Sequence, residues 1–345
     1  MSRRIVGPFN RVEGDLEVKL DIEGDRVVDA WVVSPMYRGF EQILRGKNPL
    51  DALVYVPRIC GICSVAQSVA AARALADIQG VVTPPNGEAA INLIHACENV
   101  ADHLTHFYLF FMPDFARETY ATESWFPDVA ARFKAVEGNA AREVLPARAE
   151  FMHLMGLLAG KWPHSLAIQP GGTTRALEVQ EKARIQALLY SFRQFLERVL
   201  FGDSLEAITA LDSVDALDHW CGQASPSSGD FRYFLHIARI LDLETLGRAG
   251  DRFMSSGAYP QSGEQLLAPG VFDGGLSALD QTAIAEDISH SWMCSQEEAR
   301  HPFDGVTLPS MEDSGAYTWC KAPRLDGQVV EVGALARQLV NAHPL

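Results

Sequence analysis

Residues 16–22 alternate, with Leu16, Val18, Leu20 and Ile22 on one side and Glu17, Lys19 and Asp21 on the other. A period of two predicts a half-buried strand. Glu23-Gly24-Asp25 is a short turn and Val27–Val33 a second strand, so the two read as a hairpin. Ile5-Val6 adds a third strand. From Pro49 the period becomes helical. Asn48 and Pro49 fit the N-cap and first position of a short helix ending before Pro57. Ser64–Gln79 is the next helix, with Gly80 as its C-cap. Long apolar helices follow over 88–111, 140–158 and 174–200, the first stopped by Pro113, with shorter ones over 203–210 and 230–243. In the third, Leu177, Ile185, Leu188, Leu189, Phe192 and Phe195 oppose Glu178, Glu181, Lys182 and Arg184. Residues 251–330 are rich in Gly, Pro and Ser and predict loops and short strands. Residues 331–340 begin a helical pattern near the last residue, which reads as an interrupted helix.

The expected fold is mainly α with a small N-terminal antiparallel β-sheet (α+β): a long-helix bundle core with the sheet packed against it. Three segments are expected: a β subdomain over 1–48, a helical bundle over 49–250 and an irregular α+β segment over 251–345. There is no internal repeat.

Composition narrows the class. The 345 residues carry 29 Lys+Arg against 44 Asp+Glu, a formal charge of −15. That balance excludes a basic nucleic-acid face and docking on anionic lipid. No run reaches the roughly 18 apolar residues of a transmembrane helix, and no apolar stretch follows Arg3-Arg4 as a secretory signal would require. Six cysteines are too few for a disulfide scaffold, so a reducing cytoplasm is the expected compartment.

The chemistry concentrates in Arg58-Ile-Cys60-Gly-Ile-Cys63-Ser-Val-Ala-Gln67. Two thiols three apart, at the start of a helix, can share one soft metal. The helix N-terminus and Arg58 are expected to hold both as thiolates at neutral pH. The same spacing fits a thioredoxin-type thiol–disulfide oxidoreductase using Cys60 and Cys63, or two half-buried small hydrophobes. Elsewhere, Glu13 is a carboxylate suited to carrying protons, and Glu41 could bind a hard cation such as Mg²⁺. His103 and His106 lie three apart on one helix near Asp102 and Asn99. Pro163-His164 and Gly171-Gly172 fall in a polar loop.

In order along the chain these pieces resemble the large subunit of nickel–iron hydrogenases. Arg11-Val-Glu13-Gly14 is similar to that family's Arg-x-Glu-Gly-His. Arg38-Gly39-Phe40-Glu41 is similar to its Arg-Gly-x-Glu, and residues 58–67 to its Arg-x-Cys-Gly-x-Cys-x-x-x-His. His103-x-x-His106-Phe107-Tyr108 with Asp114, then Pro163-His164, Ser291-Trp292, Trp319-Cys-Lys321-Ala-Pro323-Arg324 and residues 331–337 continue the match.

The resemblance implies the following. Cys60 is a terminal nickel ligand, and Cys63 bridges nickel to an iron that carries CO and cyanide. Glu13 relays protons, and Glu41 contributes to a Mg²⁺ site. Arg58, Gln67, His103, His106 and Asp114 surround the centre. H2 is split heterolytically, and electrons leave through iron–sulfur clusters on a separate small subunit. Gln67 stands where most of the family has His, which resembles the H2-sensing, regulatory branch that reports to a histidine kinase through the small subunit. Asp15 and Ala334 also depart from the pattern. The family's second Cys-x-x-Cys is absent, so a truncated chain, unable by itself to hold the metals, is expected.

Overall fold

A computed structural model of the chain describes residues 2–7, 9, 14–294, 296–312 and 315–344. It opens with three strands, β1 (Ser2–Val6), β2 (Glu17–Glu23) and β3 (Arg26–Val33). Eleven helices follow: α1 (Phe40–Leu44), α2 (Ala52–Tyr55), α3 (Ser64–Gln79), α4 (Pro85–Thr105), α5 (Phe126–Phe133), α6 (Ala140–Phe151), α7 (His153–Ala159), α8 (Val179–Phe195), α9 (Leu205–Thr209), α10 (Val214–Gly222) and α11 (Asp230–Ile240). Between α7 and α8 lies a small ribbon, β4 (Ile168–Gln169) with β5 (Gly172–Thr173). Strands β6 (Arg252–Gln261), β7 (Glu264–Asp273), β8 (Leu276–Ser277), β9 (Ile284–Asp287) and β10 (Ala322–Leu325) precede α12 (Ala334–Val340). The fold is mainly helical with small antiparallel sheets.

These elements form two compact units. One comprises Met1–Lys47, Ala249–Ala258 and Leu267–Asn341; the other Asn48–Arg248, Tyr259–Leu266 and Ala342–Leu345. The N-terminal strands and most of residues 251–345 share one of these units. The reason lies in the backbone. The Trp319 amide donates to Ser34 O at 3.0 Å, Ser34 N donates to Thr318 Oγ1 at 3.0 Å, and Tyr37 stacks on Trp319.

In this sheet-bearing unit β1, β2 and β3 form the expected meander. The alternation along β2 is imperfect. A bulge between Asp21 and Ile22 shifts the register, and Asp21 is the buried residue, held by Arg3 at 2.8 Å. The irregular stretch expected over 251–330 contains two ten-residue strands, β6 and β7. Gly and Pro within them hid the pattern, and Tyr259 sits at a φ of 56° inside β6. Antiparallel β9 and β10 place Ala322 opposite Asp287. Helix α12 ends at Val340, where the Asn341 amide returns to Arg337 O.

The helical unit holds one continuous apolar core. Ile94, Met112, Leu154, Met155, Val129 and Ile237 are its most enclosed side chains. Each such side chain contributes roughly 2–3 kcal/mol of burial free energy. Helix α3 spans the expected residues and ends on Gly80 at a φ of 65°, a conformation glycine takes without a Cβ clash. Its face Val65, Val69, Ala72 and Ala76 is buried. The short helix expected before Pro57 is present: Asn48 caps the 3₁₀ turn Pro49–Asp51, α2 ends at Tyr55, and Pro57 lies in a second 3₁₀ turn over Val56–Arg58. The helix expected over 88–111 starts at Pro85 and gives way at His106 to a π-helical turn over His106–Phe111. The one expected over 140–158 is broken at Met152 into α6 and α7. The one over 174–200 starts later, at Val179, where Glu181 accepts from the Glu178 amide at 3.0 Å.

Candidate functional site

The two thiols sit on the turn that enters α3. Cys63 is the N-cap of α3, and Cys60 follows the Val56–Arg58 turn. The Cys63 amide donates to Cys60 Sγ at 3.4 Å, and Gln67 Nε2 donates to Cys63 Sγ at 3.7 Å. Gln67 reaches back because residues four apart share a helix face. Both cysteines are free and half-buried.

The expectation of thiolates fails at Cys63. Burial first, and then the hydrogen bond with Cys60, push its thiol up to about 11, while the Gln67 amide pulls the other way. Arg58 is exposed on the preceding turn. The helix N-terminus, which should have favoured a thiolate, is already occupied by a carboxylate.

That carboxylate is Glu98 of α4. Only 3% of it is exposed. It accepts from Val65 N at 3.0 and 2.9 Å through its two oxygens, from Ala66 N at 3.1 Å and from Ser64 Oγ at 3.3 Å. Trp162 Nε1 adds a bond at 2.8 Å. Burial pushes its carboxyl above the ordinary carboxylate range, against these donors, which favour the charged form. Sequence reasoning missed this residue. The signal was present: Ile91, Ile94, Cys97, Ala101 and Leu104 make an apolar stripe, and Glu98 lies in it.

His164, which the sequence places in a polar loop and in the family-like Pro163-His164 pair, closes the other side of the thiol turn. Its Nδ1 is 3.0 Å from Pro57 O, and its amide donates to Ser64 Oγ at 3.3 Å. A Cβ at Gly61 would touch its ring at 3.9 Å. His164 therefore bridges both flanks of the cysteine pair from a backbone φ of 62°.

The other expected residues are placed differently. His103 and His106 are exposed where α4 ends, and His106 stacks on Phe111 rather than sharing a site with His103. Asp114 is half-buried in the 3₁₀ turn Met112–Ala116. Arg11 and Glu13 lie outside the described residues. Glu41, on α1 in the sheet-bearing unit, is 54% exposed and 3.7 Å from Lys321 Nζ. The same ammonium lies 2.7 Å from Glu286 and 3.0 Å from Thr307 Oγ1. The Mg²⁺ expectation does not fit this donor set, because an ammonium already serves the acids as their cation.

Two soft sulfurs on one turn suit nickel or iron, and binding would expel the proton that burial retains. Among the described residues no group of three or more His, Cys, Asp or Glu is placed to hold an ion. The pair fits as two donors of a larger set.

The family model "Nickel-dependent hydrogenase" matches residues 38–134 and 141–344. The chain belongs to that family. It is 28% identical to the periplasmic [NiFeSe] hydrogenase large subunit of Desulfomicrobium baculatum, over 97% of this chain and 63% of the relative. It is 25% identical to the hydrogenase-2 large chain of Escherichia coli K12, over 99% and 68%. Its structure resembles the Ni-Fe-Se hydrogenase of D. vulgaris Hildenborough in the reduced state, with a TM-score of 0.79 and 29% identity over 99% of this chain and 67% of that one. The chain thus spans roughly two thirds of the length of these relatives. No helix among the described residues is long and apolar enough to cross a membrane.

Proposed function

We propose that this chain supplies the Cys60–Cys63 half of a nickel–iron centre in a hydrogenase of the H2-sensing type. The observation that carries the sensing assignment is the bond from Gln67 Nε2 to Cys63 Sγ at 3.7 Å. When bound, the centre would supply heterolytic cleavage of H2, with CO and cyanide on its iron. Cys60 and Cys63 would hold it. Gln67 would orient the Cys63 sulfur with a neutral N–H. An imidazole there could take a proton from sulfur near neutral pH, whereas a carboxamide cannot. Slow proton removal suits a protein that reports H2 more than one that turns it over. His164, on Pro57 O and Ser64, would keep the turn closed to water. Glu13 is assigned the proton exit. An iron–sulfur small subunit would receive the electrons and signal to a histidine kinase, and the cytoplasm is the compartment in which this would happen.

The test uses the full-length protein, matured with its small subunit. Metal analysis should give nickel and iron in equal amounts, and infrared spectra should show CO and cyanide bands. Gln67→His should raise H2 turnover and weaken signalling. Absence of both metals overturns the hydrogenase assignment; metals present with turnover and signalling unchanged in Gln67→His overturn the sensing assignment.

A further inference from the structure

The Cys60–Cys63 turn has no covalent fastening, yet its backbone is held from below by one side chain. We infer that Glu98 is a positioning residue for the sulfur pair: its buried carboxylate grips the first turn of α3 and so fixes where the Cys63 sulfur points. The inference rests on the reading of Cys60 and Cys63 as the site.

The geometry is one of convergence. Ser64, Val65 and Ala66 immediately follow Cys63, and all three donate to Glu98. Ser64 donates through its hydroxyl; the Val65 and Ala66 amides are among the donors that a helix leaves unpaired at its start. A serine or aspartate N-cap usually satisfies such amides locally. Here the N-cap is Cys63, whose side chain makes no capping bond. The cap is supplied from α4 instead, which leaves the cysteine side chain for another purpose. A capping oxygen at the N-cap position itself would displace the sulfur.

The clamp extends sideways through Trp162. Its indole N–H donates to Glu98 at 2.8 Å, and two residues later the His164 amide donates to Ser64 Oγ, itself on Glu98. The loop that closes over Gly61 and the helix start that carries Cys63 are thereby tied to the same carboxylate. Arg148 lies over the Trp162 ring at 5.6 Å, holding the indole from its other side.

The experiment compares Glu98→Ala, Glu98→Gln and Trp162→Phe in the full chain before metal loading. Each variant is alkylated with iodoacetamide, and the rate at Cys63 is divided by that at Cys221 of α10, a half-buried thiol in the same unit. Loss of hydrogen bonds to a buried charge should raise the Cys63/Cys221 ratio at least about tenfold in Glu98→Ala. Amide hydrogen exchange over 64–67 should rise in parallel. Glu98→Gln keeps an acceptor oxygen and should return the ratio to within about threefold of the parent. Trp162→Phe should fall between. An unchanged ratio in Glu98→Ala, or Cys63 and Cys221 rates rising together, overturns the inference. Should Glu98→Ala not fold, a Trp162→Phe ratio equal to the parent's does the same. No metal enters the measurement, so its failure is distinguishable from a failure of the nickel–iron reading.

Discussion

The turn at Cys60–Cys63 and the cluster at Glu41, Glu286 and Lys321 both gather chemically active side chains, and they handle charge in opposite ways. The acids of the cluster bring their own cation, with Lys321 Nζ 2.7 Å from Glu286 and 3.7 Å from Glu41. The sulfurs instead receive neutral N–H donors, from the Cys63 amide and Gln67. The carboxylate nearest them is turned onto the backbone of α3. A site meant for a metal cannot be neutralised in advance by a lysine. Its ligands must either carry charge or keep a proton that the metal can replace, and the Cys63 thiol, pushed up to about 11 by burial, keeps the proton. One region is finished as a salt bridge; the other is held open.

The largest expected effect follows directly. Cys63→Ser should lower nickel content of the matured protein by more than about tenfold, since an oxygen replaces a thiolate that a soft metal prefers. Cys63 is half-buried and outside the apolar core, so stability should change by no more than about 1 kcal/mol. Elemental analysis and a thermal melt measure the two. Loss of stability together with full metal content would make Cys63 a packing residue and end the contrast.

The second effect tests the other region. Lys321→Met removes the ammonium and should cost about 2 kcal/mol, because Glu286, 21% exposed, loses its partner. It should also create a response the parent lacks: added millimolar Mg²⁺ should raise the melting temperature of Lys321→Met and not that of the parent. Equal responses in both would mean that Lys321 does not compete with a cation at these acids.

Much of the architecture was legible beforehand, and the failures have physical causes. Helix α3 was readable to the residue, because an alanine-rich run ended on a glycine that the left-handed C-cap favours. The N-terminal meander was readable from period two. Strands β6 and β7 were not, since Gly257, Pro260, Pro269 and Gly270 broke the pattern while pairing preserved the strands. Length alone could not place the break at Met152 or the π turn at His106, which depend on tertiary packing. For the site, cysteine spacing identified the sulfurs and helical spacing linked Gln67 to Cys63. Glu98 escaped because a lone acid in an apolar stripe looks like an irregularity until its partners on another helix are known. The raised pKa of Cys63 could not be read from spacing because its main cause is burial, followed by the hydrogen bond with Cys60, with the charge of Glu98 adding least.

The smallest effect separates a thiol that is held ready from one that is only buried. Cys97 precedes Glu98 on α4, and burial alone pushes it from an ordinary 9.0 up to about 12. A raised pKa means the folded state prefers the protonated thiol. Its contribution is therefore complete below pH 9 and is lost as pH climbs toward 12. Between pH 7 and pH 10 that loss should be about 1.4 kcal/mol. Cys97→Ser has nothing to titrate, so its stability at pH 10, measured relative to its own value at pH 7, should fall by that much less than the parent's. Denaturant melts at the two pH values give the difference. Nickel content of Cys97→Ser should stay at the parental level, because among the described residues no hydrogen bond addresses the Cys97 sulfur as Gln67 addresses Cys63. If Cys97→Ser instead lowered nickel as Cys63→Ser does, burial by itself would be enough to mark a ligand, and the donors gathered around the Cys60–Cys63 turn would lose their meaning.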